Sequence, residues 1–134
     1  MSQDKFTQIS VSDEFLAVVS SASEKAGMSL LNFIKLSVVS MSTARNEERV
    51  STLTELMLAE GNWGSTRVKK TIRISAEFKE LLVDKMVVNF NNNASLLYRT
   101  SAFRISNMNQ QTMMVEVKSA LEESIRRNYR ILIR

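Results

Sequence analysis

At two places β-branched residues alternate with polar ones, then give way to apolar residues at helical spacing. In residues 6–11, Ile9 and Val11 share one face of an expected strand, while Phe6, Gln8 and Ser10 share the other. Ser12 follows as an expected helix N-cap, with Asp13 and Glu14 in the first turn, where the helix dipole favours acid. Phe15, Val18, Val19, Ala22 and Ala26 then form one helical stripe that Gly27 should end. Ser29 is expected to cap a second helix facing inward through Leu30 or Leu31, Phe33, Ile34, Val38 and Met41.

The same order returns from Val68. Ile72 and Ile74 are expected inward, and Lys69, Thr71 and Arg73 outward. Ser75 should cap a helix carrying Phe78, Leu81, Leu82, Met86 and Phe90. Asn93 stands where Gly27 stood, and Ser95 should start the next helix, with Leu96, Leu97, Tyr98, Ala102, Phe103 and Ile105. The copies are offset by 63 residues at the strand and 66 at the second helix, which fits an insertion in the turn Asn91-Asn92-Asn93. One strand–helix–helix unit is too small to bury its own apolar faces, so the two are expected to fold together.

Two further segments have helical periodicity. Residues 46–59 place Val50, Leu53, Leu56 and Met57 on one side, with Gly61 as the stop and Trp63 as an expected packing anchor rather than a ligand platform. Residues 109–130 repeat Met113, Met114, Val117, Leu121, Ile125 and Tyr129 at helical spacing. This segment ends in Arg126, Arg127, Arg130 and Arg134, cations that suit either a polyanion or the negative end of the helix dipole. The expected layout is a first unit in 1–41, a connector with a helix in 42–67, a second unit in 68–106 and an amphipathic helix in 107–134.

Composition narrows the function. The 134 residues contain no Pro, Cys or His. That removes disulfides, thiol nucleophiles, the commonest general base and the commonest metal ligand. Together with the lack of a Gly-rich phosphate loop or a recognisable carboxylate pair, it argues against an enzyme, and no cofactor is expected. No apolar run approaches the roughly 18 residues of a membrane span, and the N-terminus does not read as a signal peptide. A cytoplasmic protein without membrane contact is expected. The net charge of +4 is uneven. Residues 67–134 hold thirteen Lys/Arg against six Asp/Glu, whereas residues 1–66 hold five against eight. The second half is the better suited to a polyanion.

The two stretches, Ile9-Ser10-Val11-Ser12 through Gly27-Met28-Ser29-Leu30-Leu31-Asn32-Phe33 and Thr71-Ile72-Arg73-Ile74-Ser75 through Asn93-Ala94-Ser95-Leu96-Leu97, resemble the ribbon-helix-helix proteins of the Arc/MetJ/CopG type. The resemblance covers roughly residues 5–41 and 68–106. It implies a mainly α fold with a short two-stranded antiparallel ribbon entering the DNA major groove. A tandem copy in one chain resembles the TraY-like and VirC2-like accessory proteins of bacterial conjugation, and implies a pseudo-dimer within the chain. The long connector, the extended first helix of the second copy and the C-terminal helix depart from the minimal pattern.

Ribbon chemistry agrees with that expectation. Inward residues must be apolar, as Ile9, Val11, Ile72 and Ile74 are; outward ones must be polar. Gln8, Ser10, Lys69, Thr71 and Arg73 are the candidate base contacts, a set without an acidic residue. Ser29 and Ser95, at the expected starts of the second helices, and Lys70 are the candidate phosphate contacts. The competing reading is an exposed sheet face with incidental polar residues. Phe6 falls on the outer face by parity. It could stack at the ribbon end or meet a thymine methyl, but is expected to fold back onto the protein.

The leading expectation is a sequence-specific double-stranded DNA-binding protein, acting as a repressor or as a plasmid or DNA-transfer accessory factor. Its strands of different sequence would read a non-palindromic half-site, and several copies could assemble on longer DNA. The alternative is an antitoxin-like or scaffolding protein that holds a protein partner through helices 46–59 and 109–130, if those helices do not simply close the core.

Overall fold

The computed structural model describes residues 4–64 and 66–131. It is mostly helical, with one two-stranded antiparallel sheet and six helices among the described residues. Strand β1 (Lys5–Ser12) leads into α1 (Asp13–Lys25), α2 (Leu30–Met41) and α3 (Asn46–Asn62). Strand β2 (Arg67–Ile74) leads into α4, α5 (Ala94–Ser106) and α6 (Gln110–Arg126). Helix α4 spans residues 76–90 and is irregular: a turn of α-helix, a π-helical stretch Lys79–Val83, another α turn and a 3-10 end Val87–Phe90.

The strands pair within the chain, from Lys5 opposite Ile74 to Ser12 opposite Arg67. Ile9, Val11, Ile72 and Ile74 are buried, as their alternation required. Both capping serines act as expected. The Phe15 N–H donates to Ser12 Oγ at 3.0 Å, and the Phe78 N–H donates to Ser75 Oγ at the same distance. Phe15 and Phe78 are each fully buried.

The centre of the fold is the pair α2 and α5. From Phe33 to Met41 and from Tyr98 to Ile105 nearly every residue is buried, polar ones included. An apolar stripe was expected on α2, but the helix is enclosed all round because α6 packs along it. Met113, Val117 and Ala120 supply the inner face of α6. In the corresponding way α3 packs on α5. Each of these outer helices has 17 residues and is followed by an aromatic ring lying edge-on to a capped phenylalanine. Trp63 meets Phe15 with ring centres 6.4 Å apart and also meets Phe103 at 6.1 Å, while Tyr129 meets Phe78 at 5.5 Å. Trp63 is thus a packing anchor, and the regular order extends beyond residues 41 and 106 to a third helix in each half.

Partly buried ion pairs tie the outer helices down. Arg104 on α5 donates to Glu48 on α3 at 2.7 Å and to the Ser40 hydroxyl at 2.9 Å. Ser40 donates in turn to Glu116 on α6 at 2.6 Å. Arg99 on α5 pairs with Glu60 at the end of α3 at 2.5 Å.

Several expectations change. Helix α3 faces inward through Thr52 and Leu56, not Val50 and Met57, which are exposed, and it runs through Gly61 to Asn62. Leu81 and Ile125 are also exposed, because the π-helical stretch shifts the face of α4 and because the buried line of α6 runs through Met113, Val117, Ala120 and Ser124. Asn93 is not the counterpart of Gly27. Gly27 has φ +72°, whereas Asn91 and Asn92 take the left-handed conformation at +57° and +55°. The Asn93 side chain instead accepts from the Leu96 N–H at 3.1 Å and caps α5. Ser95 is therefore not the cap, because the inserted residues carry α4 two residues further than α1 and the cap falls at Asn93, two residues earlier.

Candidate nucleic-acid interface

Strand pairing sets which side chains meet on the outer face of the ribbon. Gln8 lies opposite Thr71, Ser10 opposite Lys69 and Phe6 opposite Arg73. The pleat sends these six side chains away from the helices. Gln8, Lys69, Thr71 and Arg73 are exposed and Ser10 is half-buried, so the five candidate base contacts share one surface.

Two features of this surface escaped the sequence reading. Phe6 does not fold back; it is 66% exposed, held on the outer face by its pairing opposite Arg73. An acidic residue also belongs to the set. Asp4 continues the parity of Phe6 and Gln8, and its Oδ2 accepts from Arg73 Nε at 2.6 Å and ion-pairs with the Nη2 group. Asp4 precedes the expected strand, so no periodicity singled it out.

Each ribbon edge is bonded by a side chain from one of the central helices. On the β1 side the Ser10 N–H donates to Ser95 Oγ at 3.4 Å, which brings the start of α5 against the ribbon. On the β2 side the buried Lys35 of α2 donates from Nζ to the Arg73 carbonyl at 3.2 Å. Burial and the nearby Arg73 charge lower the Lys35 pKa to about 8, with Asp4 opposing the shift. Lys35 carries no signal in the sequence, because it sits among apolar residues.

The candidate phosphate contacts differ in setting. Ser29 is exposed and caps α2, accepting from the Asn32 N–H at 3.3 Å. Ser95 lies in the first turn of α5, its hydroxyl engaged by β1. Lys70 pairs opposite Ile9, so parity directs it to the helix side of the ribbon, where it is half-buried. The basic C-terminal end is partly neutralised, since Arg126 and Arg127 both pair with Glu123, while Arg134 lies outside the described residues.

A cleft of about 270 Å³ between α2 and α6 is the competing location, lined in part by Ser40, Glu116, Glu123 and Arg126. Their polar groups already serve one another and Arg104, which leaves the cleft a structural junction. None of the six helices is long and apolar enough to cross a membrane. No family model, curated protein or solved structure matches the chain.

Proposed function

We propose that this chain is a sequence-specific double-stranded DNA-binding protein that reads the major groove with its β-ribbon. It would act as a transcriptional repressor or as an accessory factor in DNA transfer. The observation that carries this reading is the register. The pair at the middle of the outer face, Gln8 and Thr71, stands 63 residues apart, the interval that also separates Ser12 from Ser75 and Phe15 from Phe78. A ribbon that pairs equivalent residues at its centre is what two ribbon-helix-helix units make when one chain supplies both strands. On this reading the fold is a tandem pseudo-dimer in which each unit carries a third helix.

The chemistry of the two faces supports the same reading. A two-stranded ribbon fits the major groove, where each base pair presents a distinct set of donors and acceptors. Arg73 can grip guanine, Gln8 adenine, and Lys69, Thr71 and Ser10 extend the polar set. The Ser95 end of α5 lies against the ribbon and the Ser29 end of α2 is exposed, each with backbone N–H groups suited to phosphates. Because Phe6–Arg73 occupies one end of the outer face and Ser10–Lys69 the other, the half-site is asymmetric. Binding to a labelled duplex across a salt series tests the reading. Affinity that falls steeply with salt supports it, and a flat response counts against it.

A protein-binding role rests on a separate observation, the exposed Val50, Met57 and Leu58 of α3 and Val115 and Ile125 of α6. These are outward residues, whereas the inner faces of both helices are spent on the chain's own core. A partner would therefore dock outside the fold and leave the ribbon available to DNA.

A further inference from the structure

The Asp4–Arg73 pair sits on the reading face itself. We propose that Asp4 is a positioning residue for guanine recognition: it holds the Arg73 guanidinium so that this end of the ribbon discriminates a G·C pair instead of gripping phosphate. The inference rests on the DNA-binding reading above and goes beyond it by naming what fixes specificity at one base pair.

Three observations converge on Arg73. Its backbone carbonyl is fixed from beneath by the buried Lys35, at 3.2 Å. Its Nε and Nη2 groups are engaged by a single carboxylate oxygen of Asp4. Nearly half of its side chain nevertheless remains exposed on the outer face, at 46%. An exposed ion pair of this kind adds little to folding stability. Its larger consequence is conformational, because an arginine side chain otherwise has many rotamers to lose on binding. A guanidinium has a second edge, Nη1–Nη2, and this is the edge whose geometry matches guanine O6 and N7. Because Asp4 takes the Nε side, guanine would be met through that second edge.

The Asp4 charge also disfavours the wrong complex. A carboxylate beside Arg73 repels the phosphate backbone, so Arg73 is a weak phosphate anchor while Asp4 is present. The position on β1 related to Arg73 by the 63-residue interval is Ser10, which lies opposite Lys69 at the other end of the outer face and carries no guanidinium. The guanine preference therefore belongs to one end of the site.

The test uses the full chain and its selected duplex, a duplex with the contacted G·C replaced by A·T, and a random duplex. Asp4→Asn is expected to lower discrimination between the first two by about five- to tenfold. It should also strengthen random-duplex binding a few-fold and steepen the salt slope by about one, as Arg73 turns to phosphate. Asp4→Glu should restore most of the discrimination. A uniform change on all three duplexes, or none, overturns the proposal; either is distinct from wild-type protein binding no duplex, which overturns the DNA-binding reading itself. Circular dichroism of both variants confirms that the comparison is between folded proteins.

Discussion

Gln8 and Thr71 face each other at the centre of the ribbon and are separated in the chain by the same interval as the capping residues Ser12 and Ser75. Residues on either side of them exchange roles. Phe6 lies opposite Arg73 and Ser10 opposite Lys69, while 63 residues relate Phe6 to Lys69 and Ser10 to Arg73. The buried side keeps apolar residues at related positions, and the outer side does not keep its chemistry. On the proposed tandem arrangement, the two strands would thus present an unequal surface.

Arg73→Ala should weaken binding to the preferred duplex by about 1–3 kcal/mol and relax preference at one base pair. Competition binding against single-substitution duplexes measures it. Equal loss on preferred and random duplexes would mean that Arg73 touches only phosphate.

Phe15→Ala and Phe78→Ala should each cost about 3–5 kcal/mol, since both rings are fully buried and each loses an aromatic edge contact. Denaturant unfolding gives both values. A loss below about 1 kcal/mol at either site would show that the two halves do not depend on the same anchor.

Removing residues 109–134 should unfold the chain. Met113, Val117 and Ala120 cover α2, and Tyr129 covers Phe78 while its carbonyl accepts from Ser75 Oγ at 2.6 Å. A truncated chain that kept cooperative unfolding and lost only a protein partner would contradict the packing role.

Lys35 gives a pH signature. Its folded pKa, about 8, lies below the ordinary 10.5, so between these values the unfolded chain holds more protons than the folded one. Stability from this group therefore rises with pH through that window. Lys35→Met should flatten the rise between pH 7.5 and 9.5 in denaturant midpoints. Above that range the buried Tyr98, whose phenol is pushed up by burial, contributes in the opposite direction. A wild-type profile unchanged by the substitution would remove Lys35 as its source.

Much of the ribbon was legible from period-two alternation, because parity alone separates Ile9, Val11, Ile72 and Ile74 from Gln8, Thr71 and Arg73. The serine caps were legible for a similar reason, as their chemistry is local. What stayed hidden depends on tertiary contacts. Nothing in residues 46–62 indicates that Thr52 rather than Val50 turns inward, since that choice is made by α5. The turn at 91–93 offered three asparagines, and only the longer α4 decides which two take positive φ. Phe6 misled because apolar character suggested burial, while among the described residues nothing covers it on the outer face. Asp4 and Lys35 were invisible as partners of Arg73 because they come from distant points in the chain.

The most direct measurement of the central claim is selection of bound duplexes from a random DNA library with the full chain. The account predicts enrichment of one asymmetric half-site containing a G·C pair that Arg73→Ala no longer prefers. Failure to enrich any sequence, or enrichment of a palindromic half-site insensitive to Arg73, would contradict it.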